Sequence, residues 1–114
     1  MKTVQILLAG LAALSVSGCV SAGNVDKTVE LSVGQTRHLT AYRAERCGGT
    51  PPSFAALAPR LPKSKVVRYS DGGPSSRNSR QCGRRVPTRA INATGIAKGE
   101  EVNRYQDTIR IVVR

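Results

Sequence analysis

The chain has no tryptophan and few other aromatic residues. Its 114 residues include three tyrosines and one phenylalanine, and aromatic side chains make up only 4% of the total. This scarcity excludes a large core built around aromatic rings, which bury more area per side chain than any others. The interior must therefore consist mainly of Val, Ile, Leu and Ala.

Acidic residues and histidine are also scarce. Seven Asp and Glu stand against 18 Lys and Arg, and His38 is the single histidine. So few carboxylates argue against a dedicated Ca²⁺ or Mg²⁺ site, and two spare thiols with one histidine do not match the ligand spacing of a zinc site. We predict that the protein binds no metal and no cofactor.

The sequence lacks the usual patterns of a catalytic site. It has no Gly-x-Ser-x-Gly elbow and no glycine-rich phosphate loop opening a helix. Glu100 and Glu101 are adjacent in a predicted turn, where solvation is expected rather than convergence across a cleft. His38 is expected to face solvent from the middle of a strand. We therefore predict that the protein is not an enzyme.

Long hydrophobic runs are missing except at the amino terminus. Val4 to Val16 is a nearly continuous apolar segment of about 13 residues that follows Met1-Lys2. This length suits the apolar region of a signal peptide and falls short of the roughly 20 residues that span a bilayer. The run predicts a signal helix that is removed by cleavage after residue 18.

The four residues Val16-Ser17-Gly18-Cys19 at the end of this run resemble the lipobox of bacterial lipoprotein signal peptides. That resemblance implies a diacylglyceryl group on the Cys19 thiol, cleavage before Cys19, and an acyl chain such as palmitate on the new amino terminus. It also implies an outer-membrane destination facing the periplasm, because Val20 rather than Asp follows the cysteine. The lipid would then be the membrane anchor of the mature protein.

Lipidation of Cys19 would leave two cysteines, Cys47 and Cys82. An exported chain with two cysteines most simply forms one disulfide, because the periplasm is oxidising. On the chain-entropy model, closing a loop of about 35 residues stabilises the fold by about 3 to 4 kcal/mol. Two separate buried thiols are the alternative.

The rest of the chain alternates between short strand patterns and turn signals. Thr28 to Val33 places Val29, Leu31 and Val33 on one face, and with Thr36 to Arg43 it suggests a hairpin across Gly34-Gln35. The further predicted strands are Lys65 to Tyr69, Arg85 to Ala93, and Asp107 to Arg114 with Ile109, Ile111 and Val113 inward. Ser53 should cap one helical turn that Pro59 and Pro62 stop. Ser70 to Arg80 is expected to be the least structured stretch, because Asp71-Gly72-Gly73-Pro74 is typical of turns.

These elements predict an all-β fold, a small disulfide-bonded antiparallel β-sandwich over residues 27–114 that follows a signal peptide (1–18) and a tether (19–26). The segment from Cys82 to Ile91, with Lys98-Gly99-Glu100 and the terminal strand, resembles the last hairpin of small bacterial immunoglobulin-like (Ig-like) modules. The terminal strand lacks the aromatic residues usual in that family, and the chain has no core tryptophan.

One group of residues could carry binding. Five arginines lie within 13 residues around Cys82: Arg77, Arg80, Arg84, Arg85 and Arg89. Arginine offers paired donors that match phosphate and carboxylate, and the disulfide should bring this loop near Arg43 and Arg46. We expect an anion-binding surface, placed at the end of the sandwich away from the tether. The alternative is a solvated basic loop without a ligand.

The net charge and the predicted export together limit the partners that the protein is expected to bind. Removing residues 1–18 takes away one cation and leaves a net charge of about +10. The expected partners are the membrane, through the lipid, and an anionic envelope component (lipopolysaccharide, phospholipid or cell wall) or an acidic protein. No specific nucleic acid is expected, because the chain is exported and the arginine cluster has no aromatic stacking platforms.

The sequence thus predicts a non-enzymatic structural or interaction lipoprotein. Two alternatives are an accessory lipoprotein of a secretion or conjugation assembly, and an inhibitor of an exogenous hydrolase. Lysozymes are usually basic, so a basic inhibitor would be repelled from its target.

Overall fold

The computed structural model describes residues 25–114. The predicted signal peptide, the lipobox with Cys19, and the tether up to residue 24 lie outside the described residues. Within residues 25–114, no helix is long and apolar enough to cross a bilayer.

Two three-stranded sheets form the fold, and the predicted small all-β sandwich is confirmed. One sheet has the order β1-β6-β5 and the other has the order β2-β4-β3. Neighbouring strands are antiparallel except β1 and β6, which are parallel. The strands are β1 (Lys27–Leu31), β2 (Thr36–Arg43), β3 (Val67–Ser79), β4 (Arg84–Gly95), β5 (Gly99–Arg104) and β6 (Thr108–Val113).

The main core consists of aliphatic side chains, as the lack of aromatic residues predicts. In β6, Ile109, Ile111 and Val113 are buried and alternate with half-buried neighbours, which confirms the predicted inward face. Val29 and Leu31 of β1 join the same cluster together with Leu39, Leu57, Leu61, Val66, Val67, Ile91, Ala93 and Tyr105.

The predicted hairpin between the first two strands is wrong. β1 pairs with β6 and β2 pairs with β4, so the chain passes from one sheet to the other between them. Val33 forms an isolated bridge with Gly95 and is 50% exposed, not inward as predicted. Alternation shows which face of a strand is buried, but it does not identify the partner strand.

The stretch Ser70 to Arg80 was expected to be irregular, and this prediction is also wrong. β3 continues through Ser79 and pairs with β4 along its length. The glycines form a β-bulge: the register shifts between Asp71 and Gly73, and Gly73 has a φ of +84°. Pro74 is tolerated because β3 is an edge strand. Turn-forming residues therefore bend a strand here instead of ending it.

The buried face of β4 changes half-way along the strand. Val86, Thr88 and Ala90 are buried in its first half, but Ile91 and Ala93 are buried in its second half. Both neighbouring strands contain their bulge opposite this point, at His38 to Thr40 in β2 and at Asp71 to Gly73 in β3. Strict alternation of buried and exposed residues therefore does not hold along the whole of β4.

A short helix covers the core between β2 and β3. The Ser53 hydroxyl accepts a hydrogen bond from the Ala56 amide at 3.2 Å, which confirms the predicted cap of helix α1 (Phe54–Leu57). Pro59 lies inside the 3₁₀ turn that follows, Ala58–Arg60, so the helical segment continues past it and ends before Pro62. The Tyr69 hydroxyl donates to the Pro62 carbonyl at 2.7 Å and anchors the end of this connection.

The predicted disulfide between Cys47 and Cys82 is confirmed. Their Cα atoms are 5.6 Å apart, within the range that a disulfide spans. The bond ties the connection after β2 to the turn between β3 and β4.

Candidate functional site: an arginine-rich end of the sandwich

Arginines from both sheets meet at one end of the sandwich. The strands β2, β3 and β5 end there, and β1, β4 and β6 begin there. We call this the basic end and define it by six residues: Arg43, Arg46, Arg60, Arg77, Arg80 and Arg104.

A concavity of about 320 Å³ opens between the two sheets at this end. Four arginines line it: Arg43 from β2, Arg77 from β3, Arg80 from the following turn and Arg104 from β5. Asp107 is the one carboxylate among its lining residues in the described chain. The opening is therefore lined mostly by cations.

A second concavity of about 440 Å³ shares Arg43 with the first. Arg46 and Arg60 line it, together with Glu45 and the loop residues around Thr50. The positive lining thus continues from one opening into the next, across the connection that the disulfide holds in place.

Arg77 has a structural role at the basic end. Its guanidinium lies 3.3 Å from a carboxylate oxygen of Asp107, which stands on the turn between β5 and β6. It also donates to the Ala41 carbonyl of β2 at 3.0 Å. Arg77 therefore links the two sheets and neutralises the carboxylate of the first concavity.

Other arginines of this end keep their charge available. Within residues 25–114, the side chains of Arg46, Arg60 and Arg80 make no hydrogen bond and no salt bridge, and all three residues are exposed. Arg43 donates to Gln81 and to the Ala44 carbonyl, and Arg104 donates to Thr108. These partners are neutral, so they orient the two guanidinium groups without cancelling their charge.

The five arginines predicted from the sequence do not form one surface. Arg77 and Arg80 line the first concavity, and the exposed Arg84 lies beside Gly48 of the disulfide loop. Along β4, Arg85 and Arg89 lie one and five positions after Arg84. Because side chains alternate between the two faces of a strand, both are on the face opposite to that of Arg84. There, Arg85 donates to Ser76 and Asn78, and Arg89 pairs with Asp71 at 3.2 Å.

Two arginines of the basic end were missed from the sequence. Arg60 and Arg104 lie far along the chain from Cys82 and reach this end only because of the connection after β2 and the pairing of β5 with β6. The predicted approach of Arg43 is observed, because it shares the first concavity with Arg77 and Arg80.

The placement of this surface relative to the start of the domain also differs from the prediction. Lys27, the first residue of β1, shares a concavity with Arg77 and Asp107. The chain therefore enters the domain at the basic end, and not at the opposite end as expected.

Positive charge extends from the basic end to Lys27 of β1, which lines two further concavities together with His38 of β2. Burial lowers the pKa of Lys27, with the Asp107 carboxylate acting in the opposite direction and Arg77 adding to the lowering. Partial desolvation also lowers the pKa of His38, and the charges of Lys27 and Arg77 act in the same direction. His38 is exposed on β2, as predicted.

The acidic pair in the sequence makes separate contacts away from this end. Glu100 accepts a hydrogen bond from Arg110 at 2.6 Å, and Glu101 accepts from Ser64 and from the Lys65 amide. Among residues 25–114, no cluster of three or more His, Cys, Asp and Glu residues has an arrangement that could hold a metal ion.

Comparisons of this chain with protein-family models, with curated proteins and with solved structures find no match.

Proposed function

We propose that this protein is a lipid-anchored lipoprotein of the bacterial envelope, located in the outer membrane and facing the periplasm. In this proposal it works as a non-enzymatic interaction module that binds anions through its basic end. The lipobox-like sequence at Cys19 supports the proposed location in the envelope. The disulfide between Cys47 and Cys82 is the bond expected of an exported chain.

The observation that carries the proposed activity is the lining of the first concavity. Four arginines from three strands and one turn surround it, and Arg77 already neutralises the carboxylate of Asp107. Bringing like charges together is unfavourable unless a counter-charge joins them. An anionic ligand would supply that counter-charge.

The chemistry of the lining favours phosphate or carboxylate as the ligand. A guanidinium presents parallel N–H donors that match the oxygens of either group. Among the described residues, neither concavity of the basic end is lined by an aromatic side chain on which a base could stack. Phospholipid, lipopolysaccharide and cell-wall anions are therefore favoured over nucleic acid.

The test compares two variants with the same change in charge. One replaces three unpaired arginines of the basic end (Arg46→Gln, Arg60→Gln and Arg80→Gln). The other replaces three exposed cations near the opposite end (Lys65→Gln, Arg68→Gln and Lys98→Gln). Residues 20–114, which lack Cys19 and therefore the lipid, are titrated with vesicles of phosphatidylcholine alone or mixed with phosphatidylglycerol.

We expect wild type to bind only the anionic vesicles, with an affinity that falls as salt rises. The basic-end variant should bind about tenfold more weakly or worse, since each cation near an anionic surface contributes about 1 kcal/mol. The opposite-end variant should stay close to wild type. Equal weakening in both variants would show that net charge, and not the basic end, controls binding.

A further inference from the structure

The chain enters the domain beside the arginines of the basic end. The Asp26 amide donates to the Thr108 carbonyl at 2.9 Å, and the Asp26 carboxylate accepts from the Thr108 amide at 2.8 Å. These two bonds fix the residue before β1 at the turn between β5 and β6. Arg104 at the end of β5 and Asp107 of that turn line the first concavity.

The length of chain before β1 limits how far the basic end can lie from the lipid. Seven residues separate Cys19 from Lys27. Even fully extended, the eight residue-to-residue steps cover at most about 28 Å. By contrast, β4 runs for 12 residues from the basic end to the opposite end, or about 40 Å. The anchor therefore stays within about 28 Å of Lys27, which shares a concavity with Arg77 and Asp107 of the basic end.

We propose that the basic end rests on anionic phospholipid headgroups of the same bilayer that holds the lipid anchor, so that the domain stands end-on. This inference rests on the proposed function, because it needs both the lipid on Cys19 and the anion-binding arginines. The lipid and the arginines then act as two attachments to one membrane.

Charge and exposure at the basic end fit this contact. Arg46, Arg60 and Arg80 are exposed and unpaired among the described residues, so they can reach headgroup phosphates without breaking a bond of the fold. Toward the opposite end, Arg114 pairs with Glu30, and the exposed Lys65, Arg68 and Lys98 serve as the matched control. The Debye length of about 8 to 10 Å at ordinary salt requires close approach, which the short tether provides.

The test uses the processed, lipidated protein in vesicles and a tryptophan reporter. The chain has no tryptophan of its own, so one introduced residue reports alone. Thr50→Trp places it on the rim of the second concavity, and Ile96→Trp places it at the opposite end. Quenching by a nitroxide on the lipid headgroup is measured in phosphatidylcholine vesicles with and without phosphatidylglycerol.

We expect Thr50→Trp to be quenched several-fold more than Ile96→Trp in vesicles that contain phosphatidylglycerol. This difference should shrink when salt is raised, and it should shrink with Arg46→Gln, Arg60→Gln and Arg80→Gln added. Replacing Lys65, Arg68 and Lys98 with Gln should leave the difference in quenching unchanged.

Equal quenching at the two positions, or quenching that does not depend on phosphatidylglycerol, would overturn the inference. A second vesicle population then separates the two proposals. If the anchored protein captures free anionic vesicles, the basic end faces away from its own membrane and the proposed function survives. If it captures none, the proposed anion binding fails as well.

Discussion

Arg77 and Asp107 join the two sheets of the sandwich across a distance of 3.3 Å. Arg77 stands near the end of β3, and Asp107 stands on the turn that leads into β6. The same guanidinium donates to the Ala41 carbonyl of β2, so one side chain connects three segments of the chain. One arginine thus holds the basic end together, and exposed arginines around it remain available to a ligand.

The first prediction separates this structural arginine from a solvated one. Arg77→Gln should lower the free energy of unfolding by about 1 to 2 kcal/mol, because it removes a hydrogen bond to a backbone carbonyl and a partly exposed ion pair. Arg80→Gln should leave stability nearly unchanged. Urea unfolding of the two variants measures the difference. Equal midpoints would contradict the structural role of Arg77.

The second prediction concerns the disulfide. Cys47→Ala together with Cys82→Ala should destabilise the domain by about 2 to 5 kcal/mol, since the bridge closes a loop with a sequence separation of 35 residues. Adding reductant to wild type should also lower its thermal midpoint. The midpoint of the double variant should not change with reductant. Free thiols that alkylate in the oxidised native protein would show that the bond does not form.

The third prediction is a loss of stability at mildly acidic pH. Burial and the charges of Lys27 and Arg77 lower the pKa of His38, so the folded state disfavours its protonation. The contribution of neutral His38 is fully present above its ordinary pKa of about 6.5 and is lost as the pH falls below that value. Wild type should therefore lose stability between about pH 7 and pH 5.

His38→Gln should lose less stability than wild type over that window, as measured by urea unfolding at a series of pH values. Glu30 and Glu100, whose pKa values are lowered by hydrogen bonds from Arg114 and Arg110, affect stability at lower pH. If the free energy of unfolding of His38→Gln falls as steeply as that of wild type between pH 7 and pH 5, His38 is not the cause of the loss of stability.

The fourth prediction concerns the proposed anchor. Cys19→Ser should abolish incorporation of a labelled fatty acid and leave an unprocessed precursor, because the thiol is the proposed acceptor of the diacylglyceryl group. A useful control is Cys82→Ser, which keeps the lipobox and should still be labelled if it accumulates. Undiminished label in Cys19→Ser would refute the lipoprotein proposal.

The sequence predicts local elements of this fold well. The bounds of β2 and the inward face of β6 follow from alternation alone, and the cap at Ser53 follows from its hydroxyl. The path of β3 could not be predicted locally, because Gly72-Gly73-Pro74 is typical of both a turn and a bulged edge strand. Pairing with β4 decides between the two.

The candidate site could be predicted only in part, for a similar reason. Arg77 and Arg80 were found because they are close in sequence to Cys82. Arg60 and Arg104 were missed because only the packing of distant segments brings them to the same end. Arg89 pairs with Asp71 on the other face of β4, and its proximity in sequence to Cys82 gave no indication of this pairing.

The most direct test of the account maps the anion-binding surface by NMR. Short-chain phosphatidylglycerol is titrated below its micellar concentration into ¹⁵N-labelled residues 20–114, which lack the lipid, with short-chain phosphatidylcholine as the neutral control. We expect amide and guanidinium shifts that saturate at Arg43, Arg80 and Arg104, decline with salt, and leave Ile96 and Lys98 unmoved. Shifts spread evenly over the surface, or centred on the opposite end, would contradict it.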